Sequence, residues 1–174
     1  MAQPAVTRRG ESDPLEMHRL NWPESVDLET TALVFALNRA HEAARSHAKA
    51  VWARHGLTPA EFDVLATLRR SPPPCELTPS KLRASLVITS GGLTKVMRQL
   101  EARKLVARSQ QRLDQRVKPV KLSPSGKRLV EKAMAELVSV SRTAIVSAMK
   151  KRDIATLTRL LDMLAGGVGA GRHA

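Results

Sequence analysis

The chain has 174 residues, of which 43% are hydrophobic, so one ordinary domain can bury roughly 70% of its unfolded surface without a disulfide or a metal. Lysine and arginine number 29 against 16 acids, giving a net charge of +13 and a pI near 11.0, and this balance points to a polyanionic partner. Cys75 is the single cysteine, which excludes an internal disulfide and suits a reducing cytoplasm; the prolines and charges of residues 1–26 speak against a secretory leader, and no 18-residue apolar run suggests a membrane span.

Residues 1–26 read as an N-terminal extension, with a disordered tail over 1–12 and a short helix from about Pro14 to Asn21 that Pro23 ends. A long amphipathic helix is expected from about Asp27 to Arg54. Leu28, Leu33, Leu37, Ala40, Ala44, Ala48, Val51 and Trp52 recur there at helical spacing, and His55-Gly56 closes it. Three later helix starts share one pattern, a hydroxyl at N-cap and proline at N1: Thr58-Pro59, Thr78-Pro79 and Ser123-Pro124. Glu61 completes a capping box in the first, whose helix reaches about Arg70 with Phe62, Leu65 and Leu68 inward. Ser71-Pro72-Pro73-Pro74 forbids continuation, and a short helix follows from about Pro79 to Ala84, anchored by Leu82 and Leu86.

The next helix begins near Thr89 or Ser90 and ends near Arg103. Leu93, Val96, Met97 and Leu100 form its apolar stripe, and Gly91, Thr94, Lys95 and Arg98 fall on the other side. Two extended segments follow, Leu105 to Ser109 and Val117 to Leu122, joined by the polar, basic residues 110–116 as a β-hairpin. Pro119 marks the second as an edge strand. A long helix from Pro124 to about Lys150 and a last one from about Arg152 to Leu164 complete the pattern, and Gly166, Gly167, Gly169 and Gly171 suggest a flexible tail over 166–174.

Charge is unevenly distributed. Residues 89–128 hold eleven lysines and arginines against Glu101 and Asp114, whereas residues 1–30 are net acidic. Helix, short helix, turn, basic-faced helix and basic hairpin make a mainly α, winged helix-turn-helix fold with a small β-hairpin wing. In this arrangement the basic-faced helix enters the major groove of duplex DNA. Lys95 and Arg98 are the candidates for guanine edges or phosphates, and Thr89, Ser90, Thr94 and the backbone near Gly91 for phosphates. On the wing, Arg112 and Arg116 are candidates for the minor groove, with Asp114 and Lys118 beside them.

Residues 57–126 resemble the MarR family of bacterial regulators. The resemblance is carried by Leu57-Thr58-Pro59-Ala60-Glu61-Phe62-Asp63-Val64-Leu65, Leu93-Thr94-Lys95, Leu100-Glu101 before Leu105-Val106, Asp114-Gln115-Arg116, and Leu122-Ser123-Pro124-Ser125-Gly126. The family wing usually reads Asp-Arg-Arg; Gln115 takes the middle position here. The resemblance implies a DNA-binding lobe over 57–123 and a homodimer built by long N- and C-terminal helices, residues 27–56 and 124–165. Such a dimer reads a pseudo-palindromic operator, and a small anionic or aromatic effector controls its repression. Trp22 and Asp63 are similar to ligand-contacting residues of the urate-responsive PecS and HucR branch, but Val96 stands where that branch has arginine, which argues against urate itself.

No phosphate loop, nucleophile elbow or paired-histidine zinc motif is present, so neither an enzyme nor a cofactor is expected. His18, His41, His47, His55 and His173 lack metal-ligand spacing. Cys75 follows three prolines beside Glu76, a poor setting for a reactive thiolate. The competing reading is a nonspecific nucleic-acid-binding or architectural protein. Single-strand and RNA modules stack bases on aromatic residues; tyrosine is absent, and Trp22, Phe35, Trp52 and Phe62 all lie outside the basic segment.

Overall fold

The computed structural model describes residues 13–25, 27–86, 88–108 and 118–170. Seven helices and three short strands follow one another: α1 (Pro14–Asn21), α2 (Leu28–Arg54), α3 (Pro59–Arg70), β1 (Glu76–Leu77), α4 (Pro79–Ala84), α5 (Ser90–Ala102), β2 (Val106–Arg108), β3 (Val120–Leu122), α6 (Pro124–Ala148) and α7 (Lys151–Ala170). Two compact units divide at Ser46, within α2.

In the first unit, the Asp13 carboxylate caps α1 by accepting from the Leu15 N–H at 3.2 Å. Pro23–Ser25 form one 3₁₀ turn before α2. The His18 ring stacks on Trp22 (6.1 Å, 24°) and lies tilted against Phe35 (5.9 Å). Leu20, Trp22, Leu33 and Val34 all remain more than half exposed.

The second unit holds the core. Ala48, Val51 and Trp52 from the end of α2 join Phe62, Val64, Leu65 and Leu68 of α3, Leu82 of α4, and the α5 stripe Leu93, Val96, Met97 and Leu100. Leu105, Val106, Val120 and Leu122 close it from the sheet, and Val130 and Ala133 from α6. Trp52 and Phe62 pack ring to ring at 5.2 Å. The helix starts follow their N-cap chemistry: Thr58, Thr78 and Ser123 each accept from the N–H three residues on.

Two helices end alike. After α2, Gly56 at φ +63° donates to the Ala53 carbonyl and Leu57 to that of Trp52; after α5, Lys104 at φ +55° donates to Glu101 and Leu105 to Leu100. Both are Schellman closures, with a buried apolar pair spanning each turn.

α6 is clamped to neighbouring helices by charge. Arg69 Nε donates to the Glu131 carboxylate at 2.6 Å. The Glu136 carboxylate accepts from Arg54 Nε and meets His55 Nε2, each at 2.7 Å. Arg54, then His55, hold the Glu136 carboxyl below its ordinary value of 4.5. A lowered carboxylate pKa contributes stability above the ordinary value, and this contribution is lost as pH falls through the folded value.

Three elements differ from expectation. β1 was not anticipated; it pairs antiparallel with β3 (Glu76 with Lys121, Leu77 with Val120), making a three-stranded sheet of order β1-β3-β2. β3 is therefore the central strand, not an edge. Pro119 is compatible with this because it precedes Val120, the first residue of the ladder, where no N–H is required. α7 continues to Ala170, so residues 166–170 are helical and not a loose tail. Glycine weakens a helix by about 1 kcal/mol relative to alanine but, unlike proline, does not break it.

Gly126 sits where α6 meets the β2 entry. A Cβ there would lie 2.1 Å from the Leu105 carbonyl oxygen, a backbone atom that the Ser123 hydroxyl already binds at 2.9 Å. Gly126→Ala is expected to lower stability by about 1–3 kcal/mol, read as a fall in the urea midpoint with an unchanged m value.

Candidate nucleic-acid interface

α5 separates two chemistries around its axis. Leu93, Val96, Met97 and Leu100 are buried, whereas Ser90, Gly91, Thr94, Lys95, Arg98 and Gln99 are exposed. Thr89 caps the helix, its hydroxyl accepting from the Gly92 N–H at 3.1 Å. The Thr94 hydroxyl donates back to the Ser90 carbonyl at 3.0 Å. Among the described residues no acid pairs with Lys95 or Arg98. The exposed face is thus polar, cationic and low in bulk.

α4 precedes α5 in the helix-turn-helix order and exposes Lys81 and Arg83, two cations absent from the candidates drawn from sequence. Their signal there was weak because a helix of six residues has no clear periodic face. Lys118 is exposed just before β3. Arg112, Asp114 and Arg116 lie outside the described residues.

Buried charge holds α5 in place. Glu61 is only 4% exposed, and both its carboxylate oxygens are occupied. One accepts from the Thr58 N–H (2.8 Å) and hydroxyl (3.0 Å), and the other from Arg103 Nη1 (3.0 Å) at the end of α5. Arg108, on β2, donates to Glu101 of α5 at 2.7 Å. Ser123 and Ser125 both donate to the Lys104 carbonyl, at 2.8 and 2.9 Å, fixing the turn between α5 and β2.

Trp22 and Asp63, the candidate ligand contacts, are both exposed and belong to different compact units. Val96 is 7% exposed and faces the core. A cleft of about 440 Å³ opens between α3 and α6, lined by Ala66, Arg69, Arg70, Val130, Glu131, Met134 and Ala135. It was not anticipated from the sequence, since its walls come from helices separated by some 60 residues of chain. Among the described residues no cluster of histidine, cysteine and acids is disposed to hold a metal, and no helix is long and apolar enough to cross a membrane.

A model of the MarR family matches residues 55–117, which contain α3, α4, α5 and β2. The transcriptional regulator PecS of Dickeya dadantii is 28% identical over 150 residues, covering 86% of this chain and 89% of PecS. Among solved structures, the MarR-family regulator Sco3205 of Streptomyces coelicolor, in complex with DNA, aligns with a TM-score of 0.69 at 20% identity, over 82% of this chain and 89% of that one. NadR in complex with 4-hydroxyphenylacetate aligns with a TM-score of 0.59 at 21% identity, over 94% and 98%. The match to the MarR family model over residues 55–117 and the likeness to PecS support a MarR-type regulator.

The Glu61–Arg103 pair spans from the start of α3 to the end of α5. Removing the cation leaves one buried carboxylate oxygen without its partner. Arg103→Ala is expected to cost about 1–3 kcal/mol, less than a fully buried pair because the Arg103 side chain is 38% exposed. Urea unfolding followed by circular dichroism measures it; an unchanged midpoint would show that the pair holds nothing.

Proposed function

We propose that this chain is a ligand-responsive MarR-type repressor that binds a pseudo-palindromic duplex operator as a homodimer. The observation that carries the reading is the cationic, low-bulk face of α5 opposite its buried stripe. A helix of this kind fits the major groove, where Arg98 would take a guanine edge and Lys95 a phosphate. Thr89, Ser90 and the Gly91 backbone would contact phosphates, and Lys118 with Arg112, Asp114 and Arg116 would form the wing contact. The solved complex of Sco3205 with DNA supports this use of the fold.

The dimer reading rests on apolar side chains left exposed. Val138, Ile145 and Val146 on α6, and Leu157, Leu160, Leu161 and Leu164 on α7, are 36–60% exposed. Monomeric proteins rarely leave such rows uncovered. A second copy packed on α6 and α7 would cover them and set two recognition helices about 34 Å apart, one turn of DNA. For an effector, the cleft between α3 and α6 suits a small aromatic acid: apolar walls would take the ring, and Arg70 the carboxylate. NadR, solved with 4-hydroxyphenylacetate, supports an effector of that class.

Two experiments test the reading. In a gel shift at about 100 mM salt the protein is expected to retard duplex from its own promoter region, and Arg98→Ala to lose about 1–3 kcal/mol of sequence discrimination. Failure to prefer any duplex over a single strand would sink it. Leu160→Glu is expected to turn the dimer into monomer in sedimentation velocity and to abolish operator retardation at concentrations where the parent chain binds. A parent chain that sediments as a monomer would end the dimer reading.

A further inference from the structure

The cleft between α3 and α6 carries both signs of charge on its wall, and its two cations are not equally committed. Ala66 and Val130, both buried, form its apolar lining with Met134 and Ala135. Arg69, Arg70 and Glu131 are the charged residues of that lining. Arg69 Nε donates to Glu131 Oε1 at 2.6 Å, so this cation is already met by an acid. Arg70 is held by a neutral acceptor instead: its Nη2 donates to the hydroxyl of Thr67, a buried residue, at 2.8 Å. A guanidinium offers five N–H donors in a planar fork, so Arg70 keeps donors for two parallel bonds to a carboxylate.

The wall therefore has a net charge of one, carried at Arg70, with the Glu131 carboxylate lining the same cavity of about 440 Å³. A first carboxylate on a bound molecule is drawn to Arg70. A second carboxylate would find Arg69 occupied and would face the like charge of Glu131. A neutral donor in that place, by contrast, has a carboxylate to bond. Two like charges about 4 Å apart in water repel enough to weaken binding about fivefold. The Glu131 side chain is 41% exposed, so solvent keeps the effect near that order.

We propose that Glu131 determines the charge of the ligand, making the cleft selective for an aromatic monocarboxylate over a dicarboxylate. The proposal rests on the effector reading of the cleft given above. The ligand lays its ring on Val130 and Met134 and sets its carboxylate on Arg70. It turns a neutral, donating edge, such as an amide or hydroxyl, toward Glu131. The cleft does not share residues with the rows assigned to a second copy, which begin at Val138 on α6.

The test uses two probes matched in shape, isophthalate and 3-carbamoylbenzoate, in which an uncharged amide replaces one of the two carboxylates. Isothermal titration calorimetry of the full chain is expected to show about 5- to 10-fold tighter binding of 3-carbamoylbenzoate. Glu131→Gln keeps an oxygen for Arg69 but removes the charge, and is expected to bind the two probes equally or to prefer isophthalate. Arg70→Ala is expected to lose both. Glu29→Gln, which removes one acid from the first turn of α2, is expected to keep the parent ratio. The proposal is overturned if the parent binds isophthalate as tightly as 3-carbamoylbenzoate, or if Glu131→Gln keeps the parent ratio. A change in that ratio as large from Glu29→Gln overturns it too. Each of those results leaves the cleft a ligand site. Binding of neither probe to the parent, or of both undiminished to Arg70→Ala, overturns the effector reading and the proposal with it.

Discussion

Placement of α5 depends on one buried carboxylate. Glu61 closes the capping box of α3 with one oxygen and holds the far end of α5 through Arg103 with the other. A carboxylate out of water is tolerated only when its oxygens are hydrogen-bonded and its charge is met, and here both conditions are satisfied, the charge by an arginine 42 residues further along the chain. The same contact thus sets the start of one helix and the end of another. Everything α5 presents outward is referred to α3 through that pair and through the leucine, valine and methionine stripe beneath it.

The turn after α5 carries the placement onward into the sheet. Lys104 adopts the left-handed conformation that Gly56 adopts in the equivalent turn after α2. A lysine there costs about 1–2 kcal/mol that glycine would not. The Schellman bonds, the buried Leu100 and Leu105, and the two serine hydroxyls on the Lys104 carbonyl together hold it. Those serines belong to the Ser123-Pro124-Ser125-Gly126 start of α6, and Gly126 leaves room for the Leu105 carbonyl. The motif that closes the hairpin in sequence is therefore, in space, the clasp between α5, β2 and α6.

Much of this was legible from residues alone. Hydroxyl-proline pairs marked three helix starts, the Thr58–Glu61 box was readable at its fixed spacing, and the α5 stripe followed from period. These signals are local, and local signals survive into the structure. What was not legible is non-local or conformational. Nothing in Glu76-Leu77 marks a strand; two residues carry no period, and β1 exists because β3 offers an open side. Pro119 reads as an edge residue only if it lies inside the ladder, and it lies one position before. The Arg103 contact to Glu61 is invisible to spacing, as is the cleft between α3 and α6.

Charge is where sequence and structure differ most usefully. The segment 89–128 is strongly cationic by count, yet its cations are not equivalent. Arg103 is committed to Glu61 and Arg108 to Glu101, and outside the segment Arg54 and Arg69 are committed to Glu136 and Glu131. A cation already neutralised by a carboxylate releases few counterions from DNA, so salt dependence counts only those that replace ions on phosphates. The large net charge would draw the chain toward any polyanion. The few cations left on α5, placed opposite Val96, Met97 and Leu100, are what would distinguish one duplex from another. Since Glu61 anchors the end of α5 through Arg103, the carboxylate that neutralises one arginine also helps to fix the helix that carries the other cations.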